Sequence, residues 1–199
     1  MKIALIVISC FVFLVIPQCG WAGDCSPLQI SFIPHLQLVP AEKDVCGLRL
    51  NLPLGGNDNI YGLDLGFFGD ARNSKGIQLN LIGNSTGNVL ELTDNYQQGI
   101  QLAGLLNLNF GNSDGIQIAG FANIAFSVVQ GMQIAGVKNM GPDVRGIQIA
   151  GLLNFAESVR GVQIGLINVT QELSGLQIGL INYIGESPVP ILPIINLKF

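Results

Sequence analysis

A short unit that recurs about every fifteen residues constrains the fold of this chain more than any other feature. The unit reads Gly, an apolar residue, Gln, an apolar residue, one or two small residues, two mostly apolar residues and then Asn. Degenerate copies begin at Gly47, Gly62 and Gly76. Clear copies then follow one another along the chain, namely Gly99–Asn107, Gly115–Asn123, Gly131–Asn139, Gly146–Asn154, Gly161–Asn168 and Gly175–Asn182. Such self-similarity is typical of folds in which each unit packs mainly against its neighbours.

The spacing of the leading glycines is nearly constant. All but one of their intervals lie within one residue of fifteen. The exception, from Gly76 to Gly99, contains Asn84–Gln98, which we interpret as a surface excursion or an additional short strand. Constant spacing favours stacked coils of equal length.

Apolar residues alternate with Gln and Gly inside a unit, as in Val162, Ile164 and Leu166. A period of two predicts a β-strand. The alternation breaks at each Asn, where we predict a corner with Asn in the left-handed conformation. We expect the apolar side chains to face inward and the charged ones to face outward. The predicted core contains Ile149, Leu152, Phe155, Ile164, Leu166 and Val169, and the predicted outside contains Lys138, Arg145 and Arg160.

The alternation breaks a second time at the leading Gly, where Val144, Val159 and Leu173 precede Gly by two residues and an apolar residue follows it. Two corners in each unit predict an all-β repeat protein, a parallel two-sheeted β-solenoid with rungs of about 15 residues that stack roughly 4.8 Å apart. Identical side chains then lie above one another, and side-chain amides can bond to their own copies because they carry both donors and acceptors. One predicted ladder consists of Asn107, Asn123, Asn139, Asn154, Asn168 and Asn182. The other consists of Gln101, Gln117, Gln133, Gln148, Gln163 and Gln177.

The competing architecture is an antiparallel outer-membrane β-barrel with one strand per repeat. Its support is the carboxyl end, Ile191–Phe199, where an alternating apolar strand with a terminal Phe resembles a barrel assembly signal. Three features favour the solenoid instead. Every unit carries the same Gln and Asn, the intervals are constant, and Pro193 would interrupt a closed sheet.

The first residues have the pattern of a signal peptide. Lys2 precedes the apolar run Ile3–Ile16, and small residues favour cleavage after Ala22; lipoprotein processing at Cys19 is the alternative. Loss of this leader leaves Cys25 and Cys46, an even pair that predicts one disulfide in an oxidising compartment. We accordingly divide the chain into a signal peptide (1–22), an N-terminal capping segment (23–46), a β-repeat domain (47–188) and a C-terminal closing strand (189–199).

The composition offers little catalytic chemistry. Apolar residues make up 49% of the chain and charged residues 11%, which indicates an extensively packed fold or one that touches lipid. With a net charge of −4 and scattered Lys and Arg, no nucleic-acid partner is expected. The only histidine, His35, is interpreted as structural, and Asp143, Glu157 and Glu172 as solvated turn charges. We therefore predict no catalytic, cofactor-binding or metal-binding residue.

From Pro27 onward the chain resembles a bacterial surface-repeat family of leptospiral and other Gram-negative envelopes. The resemblance is carried by Pro27–Ser31, Val45–Asn51, Tyr61–Gly66, the Gly-x-Gln-Ile units and the Pro-rich close. It implies export and placement at the cell surface or outer membrane, and it brings no enzymatic activity. We therefore expect a non-catalytic protein with a structural or adhesive role, whose partner is a surface ligand, an envelope component or outer-membrane lipid. The alternative function is that of the barrel, as a pore or envelope anchor.

Overall fold

The computed structural model describes residues 25–33, 36–88 and 95–198. Across these ranges the chain forms thirteen strands: β1 (Cys25–Ile33), β2 (Leu36–Gln37), β3 (Asp44–Thr86), β4 (Tyr96–Ala103), β5 (Leu106–Asn109), β6 (Asn112–Ala119), β7 (Ala122–Ala125), β8 (Val129–Ala135), β9 (Lys138–Ala150), β10 (Leu153–Ile164), β11 (Ile167–Thr170), β12 (Glu172–Ile184) and β13 (Ile191–Lys198). Within the same ranges, no helix has the length and apolar character needed to cross a membrane. The predicted leader, both processing sites, His35 and Phe199 lie outside the described residues.

Successive coils pair in parallel and in register. Gly161 pairs with Gly146 on one side and with Gly175 on the other, and Asn154 pairs in the same way with Asn139 and Asn168. This repeated parallel pairing is that of a β-solenoid and confirms the predicted architecture. The antiparallel alternative with one strand per repeat is wrong, because it would reverse the direction of every second unit.

Each coil contributes to two stacks of strand segments. We call the stacked Gly-x-Gln-x segments face A, as in β4, β6 and β8, and the stacked segments around Asn face B, as in β5, β7 and β11. A tight turn joins face A to face B in the central coils, at Gly104–Leu105, Gly120–Phe121, Gly136–Val137 and Gly151–Leu152. We call this edge of the stack the apolar corner, and the opposite edge, which leads from Asn to the next Gly, the charged corner.

The left-handed backbone belongs to glycine and not to asparagine. The first Gly of each unit from Gly62 onward has a positive φ, for example 125° at Gly131, and the ladder Asn residues lie inside strands. The prediction of a left-handed corner at Asn is therefore wrong. A Cβ atom on Gly131 would also run into the carbonyl oxygen of Gly115 in the preceding coil. Glycine recurs at this position because no other residue fits both constraints.

The interior of the stack is mostly polar, so the apolar residues predicted to face inward lie on the outside instead. Gln148 and Asn154 are fully buried, whereas Leu152 is 46% and Leu166 52% exposed. Phe155 and Ile164 are also exposed, and Ile149 and Val169 are half-buried. The predicted apolar core is therefore wrong. Among the described residues, buried apolar side chains cluster near the charged corner instead, at Ala125, Val129, Val144, Ala156, Val159, Leu173 and Ile184.

An additional strand covers each end of the stack, β1 at the amino-terminal end and β13 at the carboxyl-terminal end. β1 already pairs in parallel with β3, and the predicted disulfide joins Cys25 to Cys46 with 5.8 Å between the Cα atoms. The predicted excursion after Gly76 starts later than expected, because β3 stays in register with β5 as far as Thr86. At the other end, β13 reverses direction and pairs antiparallel with β12. Pro193 lies in this last described strand, where a missing donor is tolerated.

Candidate functional surface

The Asn ladder runs through the interior as a continuous chain of hydrogen bonds. Each Nδ2 donates to the Oδ1 of the next copy over 2.8 to 3.0 Å, from Asn107 through to Asn182. The same amide also donates to a backbone carbonyl at the end of face A, such as that of Ile134 for Asn123. Each Asn therefore saturates its two donors and a carbonyl at the apolar corner with one side chain.

The Gln ladder is continuous over its later coils. Nε2 of Gln133 donates to Gln117 over 2.7 Å, and the pattern continues through Gln148 and Gln163 to Gln177. The step between Gln117 and Gln101 is replaced by other partners, since Gln117 donates to Oγ of Ser113 and Oε1 of Gln101 accepts from Asn109. The ladder resumes where Gln101 donates to Gln78 over 2.7 Å. Because the amide groups of the two ladders are bonded to one another, they are not free to bind a ligand.

An ion pair occupies the Gln column near the amino-terminal end. Arg49 lies in register with Gln29, and its guanidinium forms a two-pronged contact with Asp64 at 2.8 and 2.7 Å. Both side chains are fully buried. Asn51 and Asn80 donate to the same carboxylate at 2.5 and 3.1 Å, and Arg49 also donates to the carbonyl of Asp70. Such a pair is tolerated in the interior because all its charged atoms have partners.

The outside of face A consists of two apolar columns. Inward Gln alternates with outward aliphatic residues, so that stacking the coils brings the aliphatic side chains into line. Strand register aligns the first column from Ile77 through Ile100, Ile116, Met132, Ile147 and Val162 to Leu176, and the second from Leu79 through Leu102, Ile118, Ile134, Ile149 and Ile164 to Ile178. Register extends both columns to Leu197 and Ile195 of β13. Leu28 and Ile30 of β1 pair with Leu48 and Leu50 at the other end.

The apolar surface continues around the edge of the stack onto face B. The apolar corner exposes Leu105, Phe121, Leu152, Leu166 and Leu180. On face B, the aligned outward residues are Leu108, Ile124, Met140, Phe155, Val169 and Tyr183. Lys138 interrupts the neighbouring column, where it is half-buried. Together these residues form a continuous outer apolar surface over two faces and the edge between them.

Charged side chains gather at the opposite edge. Arg145 and Arg160 are exposed there, as predicted, and Arg145 contacts Asp143 at 2.7 Å. Glu157 and Glu172 are exposed in the same part of the coil. The cross-section of the stack is therefore amphipathic, with charge gathered at one corner and mostly apolar side chains on the two faces and at the other corner.

A surface cavity of about 450 Å³ lies beside the first coils. Its lining includes Asn57, Asp58, Asp70, Arg72 and Phe110. Although Asp70 still contacts solvent, partial burial raises the pKa of its carboxyl, while a hydrogen bond with Ser85 and the charge of Arg49 act in the opposite direction. Across the described ranges no three His, Cys, Asp or Glu side chains gather to hold a metal ion.

Sequence reasoning missed two features of the site. It omitted Gln78 and Asn84, which extend the ladders into a degenerate unit, although their positions two and eight residues after Gly76 could have revealed them. It also placed the aliphatic columns inside the protein. The alternation of polar and apolar residues is visible in the sequence, but the sequence does not show which of the two sets is buried.

No protein-family model, curated protein or solved structure matches this chain.

Proposed function

We propose that this chain is an exported, non-catalytic β-solenoid with a structural or adhesive role at the envelope of a Gram-negative-type bacterium. The observation that carries the proposal is the outer apolar surface, which extends along the stack instead of lining a pocket. A repeat protein with a long uniform face is suited to binding an extended partner. Large exposed apolar patches mark interaction surfaces.

The disulfide supports export. Cys25 and Cys46 are joined in the fold, and such bonds form and persist in oxidising compartments. The signal-peptide pattern before Gly23 and the resemblance to surface-repeat proteins support the same location. A structural role agrees with the interior, because the repeated Gln and Asn amides are bonded to one another.

Cell fractionation of the full chain tests the proposal. A carboxyl-terminal tag should appear in the envelope fraction of a Gram-negative host, with the intact mass of a protein that begins near Gly23 and has no alkylatable thiol. A matched chain with Ile6→Arg and Val7→Arg, which interrupt the apolar leader, should remain in the cytoplasm. A wild-type protein that stays cytoplasmic with Met1 attached would overturn the proposed location.

A further inference from the structure

The partner of the outer apolar surface follows from its chemistry. The two outward columns of face A contain only aliphatic side chains and Met, from Leu28 and Ile30 in β1 to Leu197 and Ile195 in β13. Interfaces between proteins carry roughly one hydrogen bond per 100 to 200 Å² and are enriched in aromatic residues, Met and Arg. These columns offer no side-chain donor, no aromatic residue and no Arg, and Met132 is their one residue of an enriched type. A hydrocarbon environment requires neither hydrogen-bond donors nor aromatic or Arg side chains.

Shape favours lipid over a second copy of the chain. A second solenoid could cover one flat face, but the apolar surface continues around the apolar corner through Leu152 and Leu166 onto face B. A convex edge flanked by two apolar faces is covered completely by a fluid partner. Lipid chains conform to such an edge, whereas a rigid stack contacts it along a line.

Between the terminal strands β1 and β13, the backbone of the stacked coils meets the main requirement of hydrocarbon. Every unsatisfied peptide group costs several kcal/mol there. On both faces the parallel registers pair the peptide groups with neighbouring coils, and the turn at the apolar corner is bonded too. The amide of Phe121 donates to Leu105 over 3.0 Å, and the amide of Val137 donates to Phe121 over 3.0 Å.

Charge sets the orientation. Arg145, Arg160 and Glu172 lie along one edge of the stack, so a solenoid that crossed a bilayer along its axis would bring them into the hydrocarbon. A solenoid that lies flat keeps this edge in water. From Gly161 to Ile164, where the strand ends, the chain rises by three residues, about 10 Å at roughly 3.3 Å per residue. With the turn that follows, that depth fits within one leaflet of a hydrocarbon core about 30 Å thick.

We propose that the solenoid lies in one leaflet of a lipid membrane, with the apolar corner toward the bilayer centre and the charged corner in water. This inference rests on the proposed envelope function and deepens it. The half-buried Lys138 is accommodated because a lysine stem can lie along apolar surface while its ammonium reaches water. Binding depends on apolar area, so it needs no anionic lipid and resists salt.

Vesicle flotation of the purified protein without its leader (residues 23–199) tests the inference, because the apolar run Ile3–Ile16 would itself bind lipid. The protein should float with phosphatidylcholine vesicles to the same extent at low salt and at about 1 M salt. Ile149→Glu combined with Ile164→Glu should abolish flotation, because both changes put charge into face A. Ser158→Glu, at the charged corner of the same coil, should leave flotation unchanged.

A second measurement keeps the test decisive if the double Glu variant does not fold. The protein without its leader lacks Trp21, the one Trp of the sequence, so the fluorescence of Ile149→Trp should be quenched by phosphatidylcholine brominated on its acyl chains, and that of Ser158→Trp should not. Equal quenching at both positions, or wild-type protein that does not float, would refute the lipid proposal. So would a defined oligomer of the wild-type chain that buries position 149 in vesicle-free buffer and does not bind vesicles. Export is measured separately by fractionation, so a failure here would leave the proposed location standing.

Discussion

Nδ2 of Asn139 donates a hydrogen bond to Oδ1 of Asn154 in the next coil over 3.0 Å, and it donates a second one to the carbonyl of Ile149 over 2.8 Å. Both Asn side chains are fully buried. Water therefore cannot replace either bond when a partner is removed, and a lost ladder residue leaves unsatisfied groups in its neighbours.

Asn154→Ala should strongly destabilise the protein. The change removes the acceptor of Asn139, the donor to Asn168 and the donor to the carbonyl of Ile164. Each buried group left without a partner costs about 1 to 3 kcal/mol, so we expect a loss of roughly 3 kcal/mol or more in the free energy of unfolding. Denaturant titration followed by circular dichroism measures it. Leu166→Ala is the control and should change the midpoint little, because its side chain is half exposed. Equal losses from both changes would contradict the polar interior.

The buried ion pair of Arg49 and Asp64 predicts that a second substitution at Asp64 restores the stability lost by substituting Arg49. Arg49→Gln alone leaves the Asp64 carboxylate buried without its counter-charge and should cost about 3 to 5 kcal/mol. Adding Asp64→Gln places amides at both positions of the Gln column, and most of the loss should be recovered. A double-mutant cycle of unfolding free energies gives the coupling. A double variant no more stable than Arg49→Gln would show that the amide column cannot replace the ion pair.

Gly131→Ala should be poorly tolerated. The substitution forces an L-residue into a φ of 125° and directs its Cβ at the carbonyl of Gly115. The backbone strain alone is worth about 1 to 3 kcal/mol. Gly141→Ala is the matched control in the same unit, because neighbouring coils carry Ala125 and Ala156 at that side of the interior. Thermal unfolding should show a large shift for the first variant and a small one for the second; the reverse order would contradict the stacked-glycine geometry.

Opening the disulfide should loosen the amino-terminal coils. The bond closes a loop with a sequence separation of 21, for which the loop-closure model gives about 3 kcal/mol. A Cys25→Ser and Cys46→Ser double variant should therefore unfold at lower denaturant and lose amide protection first in β1. Hydrogen exchange measures this order. Uniform loss of protection along the whole stack would show that the bond is not a local clamp.

The sequence alone determined the repeat length, most of the ladder residues and the pairing of Cys25 with Cys46, and it favoured parallel stacking of the coils. A recurring unit places Asn139 and Asn154 above one another in any stack of equal coils, because register follows from spacing. The recurrence also favoured stacked coils over alternating strands, since reversal would have required the Gln and Asn positions to repeat in every second unit, but the antiparallel alternative stayed open until the strand registers were known.

Only the tertiary structure decided which face of each strand lies inside. Alternation divides residues such as Gln163 and Ile164 onto two faces, but it does not say which face is buried. The usual expectation of an apolar interior failed because parallel register lets each buried amide bond to its own copy, so that its desolvation is offset. That bonding depends on the distances between neighbouring coils, whose equivalent residues lie about fifteen positions apart in the chain. The position of Arg49 beside Asp64 and the glycine geometry at Gly131 depend on those same contacts between coils, and the sequence does not contain them locally.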